Sequence, residues 1–248
     1  IIGVAVWWLR TQSGAAIRSF YASVRHMERD QGNLDRYQMP WLLMLGDEVQ
    51  GTQLVSEWRL QPTDKPAWFG RWWSDPEGAV LVVPQALFLP DDGMHLQRGS
   101  WWRLLGLILR LRSKRPLDAV IWTVPVSRLD NLEQATQLGL AARRRFIDLL
   151  QRFGLSVPVY VIVTGLEELP GFQELISALP QEAREATLGW SSPYARDAVW
   201  QGAWSDQALD QLHRAVAEAV IEIGTLSGQL SADLYALPDH LETLRRGL

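Results

Sequence analysis

Apolar residues follow two kinds of pattern along the chain, and their succession predicts the secondary structure. Residues 13–29 carry apolar side chains at steps of three and four, which predicts a helix. Continuous apolar runs at Trp41–Leu45, 117–124 and 157–163 predict strands that are buried on both faces of a sheet. Turn-forming residues 74–78 separate two further apolar segments, so a hairpin is predicted with strands at 67–73 and 79–84.

Predicted helices separate most of these strands. They are expected at residues 51–58, 98–112, 130–153 and 169–179, followed by a short last strand at 186–190. Beyond residue 197 only helices are predicted, at 207–224, 226–235 and 237–248.

This order of elements predicts an α/β fold. Helices that alternate with buried strands form a mostly parallel sheet with helices on both faces. We therefore predict three segments: a helical, membrane-proximal segment over residues 1–38, an α/β domain over 39–196 and a helical extension over 197–248.

The apolar run over residues 1–9 suggests a membrane boundary. It ends in Trp7, Trp8 and Leu9 and is followed by Arg10. Tryptophan and arginine in this order are typical of the cytoplasmic end of a transmembrane helix, although a complete span takes roughly 20 residues. We predict that residues 1–9 end a transmembrane helix; the alternative is an N-terminal element packed on the domain.

Composition excludes several classes of function. The net charge of −4 and the pI of about 5.6 give no global basic field for nucleic acid, so no nucleic acid partner is expected. Cysteine is absent, which excludes disulfides and thiolate metal sites. The four histidines are far apart and lack metal-ligand spacing, so no metal site is expected.

The segment after the first predicted strand has the glycine spacing of a phosphate-binding loop, G-x-x-x-x-G-K-[ST]. Gly46 and Gly51 occupy the glycine positions, between a strand and a helix. Thr52 stands at the lysine position and Gln53 at the Ser/Thr position. The side chains that hold phosphate and Mg²⁺ are therefore absent.

Two acidic residues in this predicted loop also oppose a nucleotide. Asp47 and Glu48 would place negative charge beside a triphosphate. Each repulsion is on the order of 1 kcal/mol in a partly exposed site. The missing lysine removes a contact worth roughly 1.5–3 kcal/mol.

GTPase-like folds carry two further motifs, D-x-x-G after the hairpin and [NT]-K-x-D after a later strand. At the first, Val83 stands where an aspartate would hold Mg²⁺. At the second, Thr164 is kept, but Gly165 replaces the lysine and Glu167 the aspartate. Three defective motifs predict that no nucleotide is held. No cofactor is expected, and GTP or ATP with Mg²⁺ is kept as an alternative.

Five segments carry a family resemblance. In order they are PWLLMLG, RWWSDPEGAVLV, WWRLLGLILRLRSKRPLDAVIWTV, PVYVIVTGLEELPGF and YALPDHLETLRRGL. They resemble the IcmF/TssM family of bacterial type VI secretion, specifically its cytoplasmic GTPase-like domain. The resemblance implies a P-loop NTPase-like, small-GTPase-like fold in an inner-membrane protein. Many family members keep the loop lysine and the aspartate after the hairpin. This chain has neither, so it is expected to be a pseudo-GTPase.

The resemblance also implies partners and a role. The partners are TssL-like and TssJ-like subunits of the membrane complex and components of the baseplate, in an expected oligomer. The role is a scaffold without catalytic residues, which joins the membrane complex to the baseplate. One alternative is a GTPase or ATPase that recruits Lys65 or Arg71 from neighbouring loops. A weaker alternative is a module that binds another small ligand in the vacated cleft.

Two clusters of basic residues have simpler interpretations. Arg110, Arg112, Lys114 and Arg115 lie at a predicted helix C-terminus, where positive charge is favourable; the alternative is contact with anionic lipid or an acidic partner. Residues 143–145, three consecutive arginines, lie within a predicted helix and point in different directions. They predict a solvated face and one buried ion pair.

Overall fold

A six-stranded sheet lies at the centre of the part of the chain that the structure describes. The computed structural model describes residues 2–30, 32, 35–63, 65–89, 95–185, 188–195 and 198–247. The strands are β1 (Trp41–Leu45), β2 (Gln61–Pro62), β3 (Arg71–Asp75), β4 (Gly78–Val82), β5 (Ala119–Pro125) and β6 (Val159–Thr164). Their order across the sheet is β2-β3-β4-β1-β5-β6.

The centre of the sheet is parallel and one edge is antiparallel. Strand β1 pairs in parallel with β4 on one side and β5 on the other. Strand β3 runs antiparallel to both β2 and β4, and the predicted hairpin β3–β4 is confirmed. The predicted α/β class is therefore confirmed. The sheet is mixed rather than mostly parallel because the hairpin adds antiparallel pairs.

Helices precede, separate and follow the strands. Their bounds are α1 (Ile2–Asp30), α2 (Glu48–Glu57), α3 (Gln85–Phe88), α4 (His95–Leu111), α5 (Val126–Leu129), α6 (Leu132–Phe153), α7 (Phe172–Ala178), α8 (Gln181–Glu185), α9 (Ala203–Ser227) and α10 (Ala232–Thr243). Two short 3-10 turns, Leu166–Glu168 and Leu244–Arg246, follow β6 and α10.

Helix α1 extends the predicted helix at residues 13–29 back to Ile2. The side chains of residues 1–13, and with them the predicted membrane stub at 1–9, lie outside the described part of the structure. Within the described residues, none of the helices combines the length and the apolar character that crossing a membrane requires.

Side-chain caps decide two helix starts that differ from the prediction. Helix α2 begins at Glu48 rather than Gly51, because the Asp47 side chain caps it. The helix predicted at 130–153 is confirmed as α6, but it begins at Leu132, after the separate short helix α5. The Asn131 Oδ1 atom accepts hydrogen bonds from the backbone of Glu133 and Gln134, at 3.0 and 3.2 Å, and so starts α6.

Helix α10 contradicts the predicted break before Pro238. Ser231 caps its start, and the helix continues through the proline to Thr243. Pro238 removes one backbone hydrogen bond. Leu234 and Leu237 are buried in an apolar cluster with residues of α7 and α9, and this packing holds the helix together.

Strand β6 is exposed, whereas the sequence predicted a buried strand. Val159, Tyr160 and Val161 are 43%, 58% and 49% exposed. The reason is position, since β6 is the last strand in the order and pairs, among the strands that the structure describes, with β5 alone. The short strand predicted at 186–190 is also wrong for residues 188–190, the part of it that the structure describes.

Apolar side chains cover both faces of the sheet. Successive residues of a strand point to opposite faces. Trp41 and Leu43 accordingly join one core with residues of α1, α4 and α6, whereas Met44 joins a second core with Val55 of α2. The predicted helices on both faces are therefore confirmed.

The chain divides into two compact units. The first contains Ile1–Val124 and Leu138–Ile162, and the second contains Pro125–Gln137 and Val163–Leu248. In the second unit α7, α9 and α10 share a core. Its buried residues are Leu175, Val216, Val220, Leu234 and Leu237. The division into segments 1–38, 39–196 and 197–248 stays a prediction.

Candidate functional site

The turn between β1 and α2 is where the sequence predicts a nucleotide loop. Gly46 ends the strand with φ +127°, a backbone conformation that glycine adopts readily. A Cβ atom at this position would lie 2.3 Å from the Thr123 carbonyl oxygen and 2.4 Å from its Oγ1. Gly46 is therefore required by the close approach of β5 as well as by the turn.

Asp47 caps α2 immediately after this glycine. Its Oδ1 atom accepts hydrogen bonds from the backbone N–H groups of Val49 and Gln50, at 2.9 and 3.0 Å. These are N–H groups that have no partner within the helix. A carboxylate is also the charge that the positive end of a helix favours. The protein thus supplies its own anion at the start of α2.

The predicted loop from Gly46 to Gly51 is consequently shorter than a phosphate-binding loop. Glu48, Val49 and Gln50 form the first turn of α2, and the Gly51 N–H donates to the Asp47 carbonyl at 2.9 Å. A phosphate loop instead turns several backbone N–H groups inward from a non-helical segment. Only Gly46 and Asp47 remain to connect β1 with α2.

The second glycine and the two residues after it belong to α2. A Cβ atom on Gly51 would lie 3.0 Å from Met44 Sδ and 3.4 Å from Val82 Cγ1, so glycine lets α2 approach the sheet. Thr52 is half-buried. Gln53 is exposed, and its amide donates to Glu57 at 3.0 Å along the helix.

Val83, at the predicted metal-aspartate position, is a core residue. Its side chain is 1% exposed and belongs to the main apolar cluster. Its N–H donates to the carbonyl of Met44 at 3.1 Å, which continues the pairing of β4 with β1. Across the described ranges, His, Asp and Glu form no group of three or more that could hold a metal ion.

The predicted base-recognition positions lie at the end of β6 and in the turn after it, in the second unit, whereas Gly46, Asp47 and Val83 lie in the first. Gly165 has φ +78° and starts the 3-10 turn Leu166–Glu168. Thr164 is half-buried, and Glu167 is exposed in this turn.

Arg71, which the alternative enzyme hypothesis invokes, is the first residue of β3. It pairs with Val82, which in turn pairs with Met44. Its guanidinium lies over the Trp73 ring, 5.2 Å from the centroid. The two intervening strand spacings separate its backbone from β1 by roughly 10 Å. Lys65 is exposed between β2 and β3.

A buried ion pair near the end of α4 was not predicted. The Arg112 side chain is fully buried, and its Nη1 donates to Asp118 Oδ2 at 2.9 Å. Its guanidinium lies over the rings of Tyr37 and Trp41, and burial lowers its pKa. Asp118 also accepts from the Trp41 N–H at 2.7 Å and from Arg115 at 2.8 Å.

This arrangement changes the interpretation of the basic cluster. Arg112 lies in the core, whereas the sequence predicted it as one of several positive charges at a helix C-terminus. Arg115 shares its carboxylate, and Arg110 and Lys114 are exposed. The only signal in the sequence was Asp118, an acidic residue directly before an apolar strand.

The prediction for residues 143–145 is confirmed. Arg143 and Arg144 are exposed. Arg145 is buried, donates to the Phe88 carbonyl at 3.2 Å and pairs with Asp148 at 3.2 Å. Its guanidinium lies 5.3 Å from the centroid of the Trp101 ring.

The fold and the turn after β1 define an α/β domain in which Asp47 caps α2, the helix that follows the central strand β1. Comparison with known proteins adds the family. The model of the IcmF-related N-terminal domain matches residues 95–248, more than half of the chain. The chain therefore belongs to the IcmF-related family.

One relative supports this assignment. Over 177 residues the chain is 25% identical to type VI secretion system component TssM1 of Pseudomonas aeruginosa. The similarity covers 65% of this chain but only 16% of that protein. No solved structure matches the chain.

Proposed function

We propose that this chain is a cytoplasmic scaffold domain of a type VI secretion membrane complex and that it holds no nucleotide. Its membership of the IcmF-related family and its similarity to TssM1 support the place in this system. The proposed role is to join the inner-membrane complex to baseplate components by protein contacts. TssL-like and TssJ-like subunits are the proposed partners in the membrane complex.

The observation that carries the proposal is the Asp47 cap. The N–H groups of Val49 and Gln50, at the start of the first helix after β1, already bind the Asp47 carboxylate. In a phosphate-binding loop such N–H groups bind the nucleotide. Here a phosphate would compete with a covalently attached anion.

The energy of this competition is unfavourable to a nucleotide. Displacing the cap costs about 1 kcal/mol. The lysine contact that Thr52 cannot make is worth roughly 1.5–3 kcal/mol. Together these terms weaken binding by roughly two to three orders of magnitude, before repulsion from Glu48 is added.

The proposal includes a degenerate GTPase-like fold. A glycine turn after a central strand, parallel neighbours on both sides of that strand and a hairpin leading into one neighbour support it. The enzyme alternative has less support, because Arg71 lies over Trp73 and three separate motifs lack their functional side chains.

Calorimetric titration with GTP and with ATP, both with Mg²⁺, tests the proposal. We expect no saturable heat for either nucleotide. Asp47→Asn is the matched variant, because asparagine keeps a cap but removes the charge. If a capped first turn of α2 is what excludes the nucleotide, Asp47→Asn should also fail to bind GTP and ATP. Affinity tighter than about 10 µM for the wild-type chain would overturn the scaffold-only function.

A further inference from the structure

The outward face of α6 carries apolar residues that the core does not use. The helix buries Ala142 and Leu149 in the main core. Leu140, Ile147 and Leu150 are 47%, 41% and 53% exposed. At about 100° per residue, these three and Arg143 fall within about 80° of one another on the helix surface. We call Leu140, Arg143, Ile147 and Leu150 the α6 stripe.

The surroundings of the α6 stripe are basic. Residues 138–153 contain four arginines and one aspartate, a net charge of +3 in a chain whose net charge is −4. The aspartate, Asp148, already pairs with Arg145. Arg143 lies in the stripe and Arg144 beside it, both exposed, and neither forms an ion pair with a described residue.

We propose that the α6 stripe binds an amphipathic helix of a partner protein whose apolar face is flanked by acidic residues. Apolar residues spaced at three and seven positions match the steps of a facing helix. The two exposed arginines select the acidic flank by charge complementarity. The proposal rests on the scaffold function, since it specifies the kind of partner that the scaffold binds.

Two other occupants fit the stripe less well. A second copy of this chain would bring two basic stripes together, and like charges across an interface are repulsive. A membrane surface favours a helix with a wide apolar face, often with aromatic residues. The stripe has three half-exposed aliphatic side chains, and the opposite face of α6 is occupied by the core.

A library of helix-templated peptides, selected on the immobilised wild-type chain, tests the proposal and does not require the natural partner. We expect enriched peptides to have an apolar face flanked by glutamate or aspartate. Their affinity should fall at least about tenfold for Ile147→Glu and for the double variant Arg143→Glu/Arg144→Glu. Arg110→Glu/Lys114→Glu, an equal double charge reversal at exposed residues at and just after the end of α4, should change it by less than about twofold.

The variants need a folding control because Ile147 is partly packed. Circular dichroism melting checks each variant, and Leu150→Gln, at the most exposed apolar residue of the stripe, replaces any that unfolds. Selection of no peptide, of non-acidic peptides, or of peptides that bind the stripe variants unchanged would overturn the proposal.

Two further measurements separate the other occupants. Flotation with phosphatidylethanolamine–phosphatidylglycerol vesicles that is lost in Ile147→Glu would assign the stripe to a membrane and overturn the proposal. A dimer in sedimentation that dissociates in Ile147→Glu would assign the stripe to a second copy of the chain and would also overturn the proposal. Nucleotide binding would overturn the proposed function but would not change a peptide result that depends on the stripe. Failure of the proposed function and failure of this proposal are therefore distinguishable.

Discussion

At the scale of single residues, the start of α2 depends on a glycine at position 46 and an aspartate at position 47. Gly46 lets the chain pass close to Thr123 of β5. Asp47 then satisfies two backbone N–H groups of the helix. Both residues serve the fold at a place where the glycine spacing suggested a ligand.

Asp47→Ala should lower the free energy of unfolding by about 1 kcal/mol, because two N–H groups lose their acceptor. Urea denaturation at equilibrium measures the change. Asp47→Ser, which keeps a capping oxygen, should recover most of it. Equal stability of Asp47→Ala and the wild-type chain would show that the cap is not formed.

Gly46→Ala should be far more destabilising than Gly154→Ala. Both glycines have positive φ, +127° and +68°, but a Cβ at Gly154 meets nothing within 4 Å. Gly154→Ala should therefore cost only the conformational term, about 1–2 kcal/mol. Gly46→Ala adds a clash with the Thr123 backbone. Thermal unfolding compares the two, and equal costs would contradict the close approach of β5.

At the scale of elements, one buried ion pair joins α4, β1 and β5. Asp118 contacts Arg112 at the end of α4, Arg115 after it and the backbone of Trp41 at the start of β1. Because Arg112 is fully buried and Arg115 is half-exposed, the pair of Asp118 with Arg112 should contribute more to stability than its pair with Arg115.

Asp118→Ala should cost about 3 kcal/mol or more, because it leaves the buried Arg112 charge without a partner. Arg115→Ala removes the half-exposed partner of the same carboxylate and should cost less than about 1 kcal/mol. Chemical denaturation of both variants gives the two values. Similar costs would mean that burial of Arg112 is not the deciding factor.

In the second unit, Arg245 joins α9 to the end of α10. It pairs with Asp206 at 3.3 Å, Asp210 at 2.6 Å and Glu242 at 2.5 Å. Its hydrogen bond lowers the pKa of Glu242 below the ordinary value. The stability from this carboxylate is therefore present above the ordinary pKa and is lost as the pH falls through the lowered one.

Arg245→Gln should lower the melting temperature at pH 7 and have a smaller effect at an acidic pH below the lowered pKa of Glu242, where that carboxylate is protonated. Arg214→Gln on α9 is the control, since Arg214 forms no ion pair with a described residue. Calorimetric melts at both pH values measure the effect. A loss that is independent of pH would contradict the role of charge.

At the scale of the whole molecule, the apolar patterns predicted the elements better than their ends and surroundings. The hairpin, the central strand β1 and helices on both faces follow from local periodicity. The exposure of β6 does not, because an apolar run does not distinguish a central strand from an edge strand. Burial of Arg112 depends on Tyr37, Trp41 and Asp118, which only the folded chain brings together.

The turn after β1 was predicted in position but not in form. The glycine spacing located the turn after β1 correctly. A second local signal favoured a helix start here, since an aspartate followed by a glutamate is typical of the first turn of a helix. The prediction followed the glycine spacing and not this signal. With Asp47 as the cap, Glu48 to Gly51 become the first residues of α2 and not a loop.

The central claim is that the N–H groups at the start of α2 bind Asp47 and not a nucleotide. The most direct test is to follow the backbone amide resonances of Val49 and Gln50 by NMR during titration with GTP or ATP and Mg²⁺. We predict that both resonances stay unchanged in the wild-type chain. A saturable shift of both amides on adding either nucleotide would contradict the account.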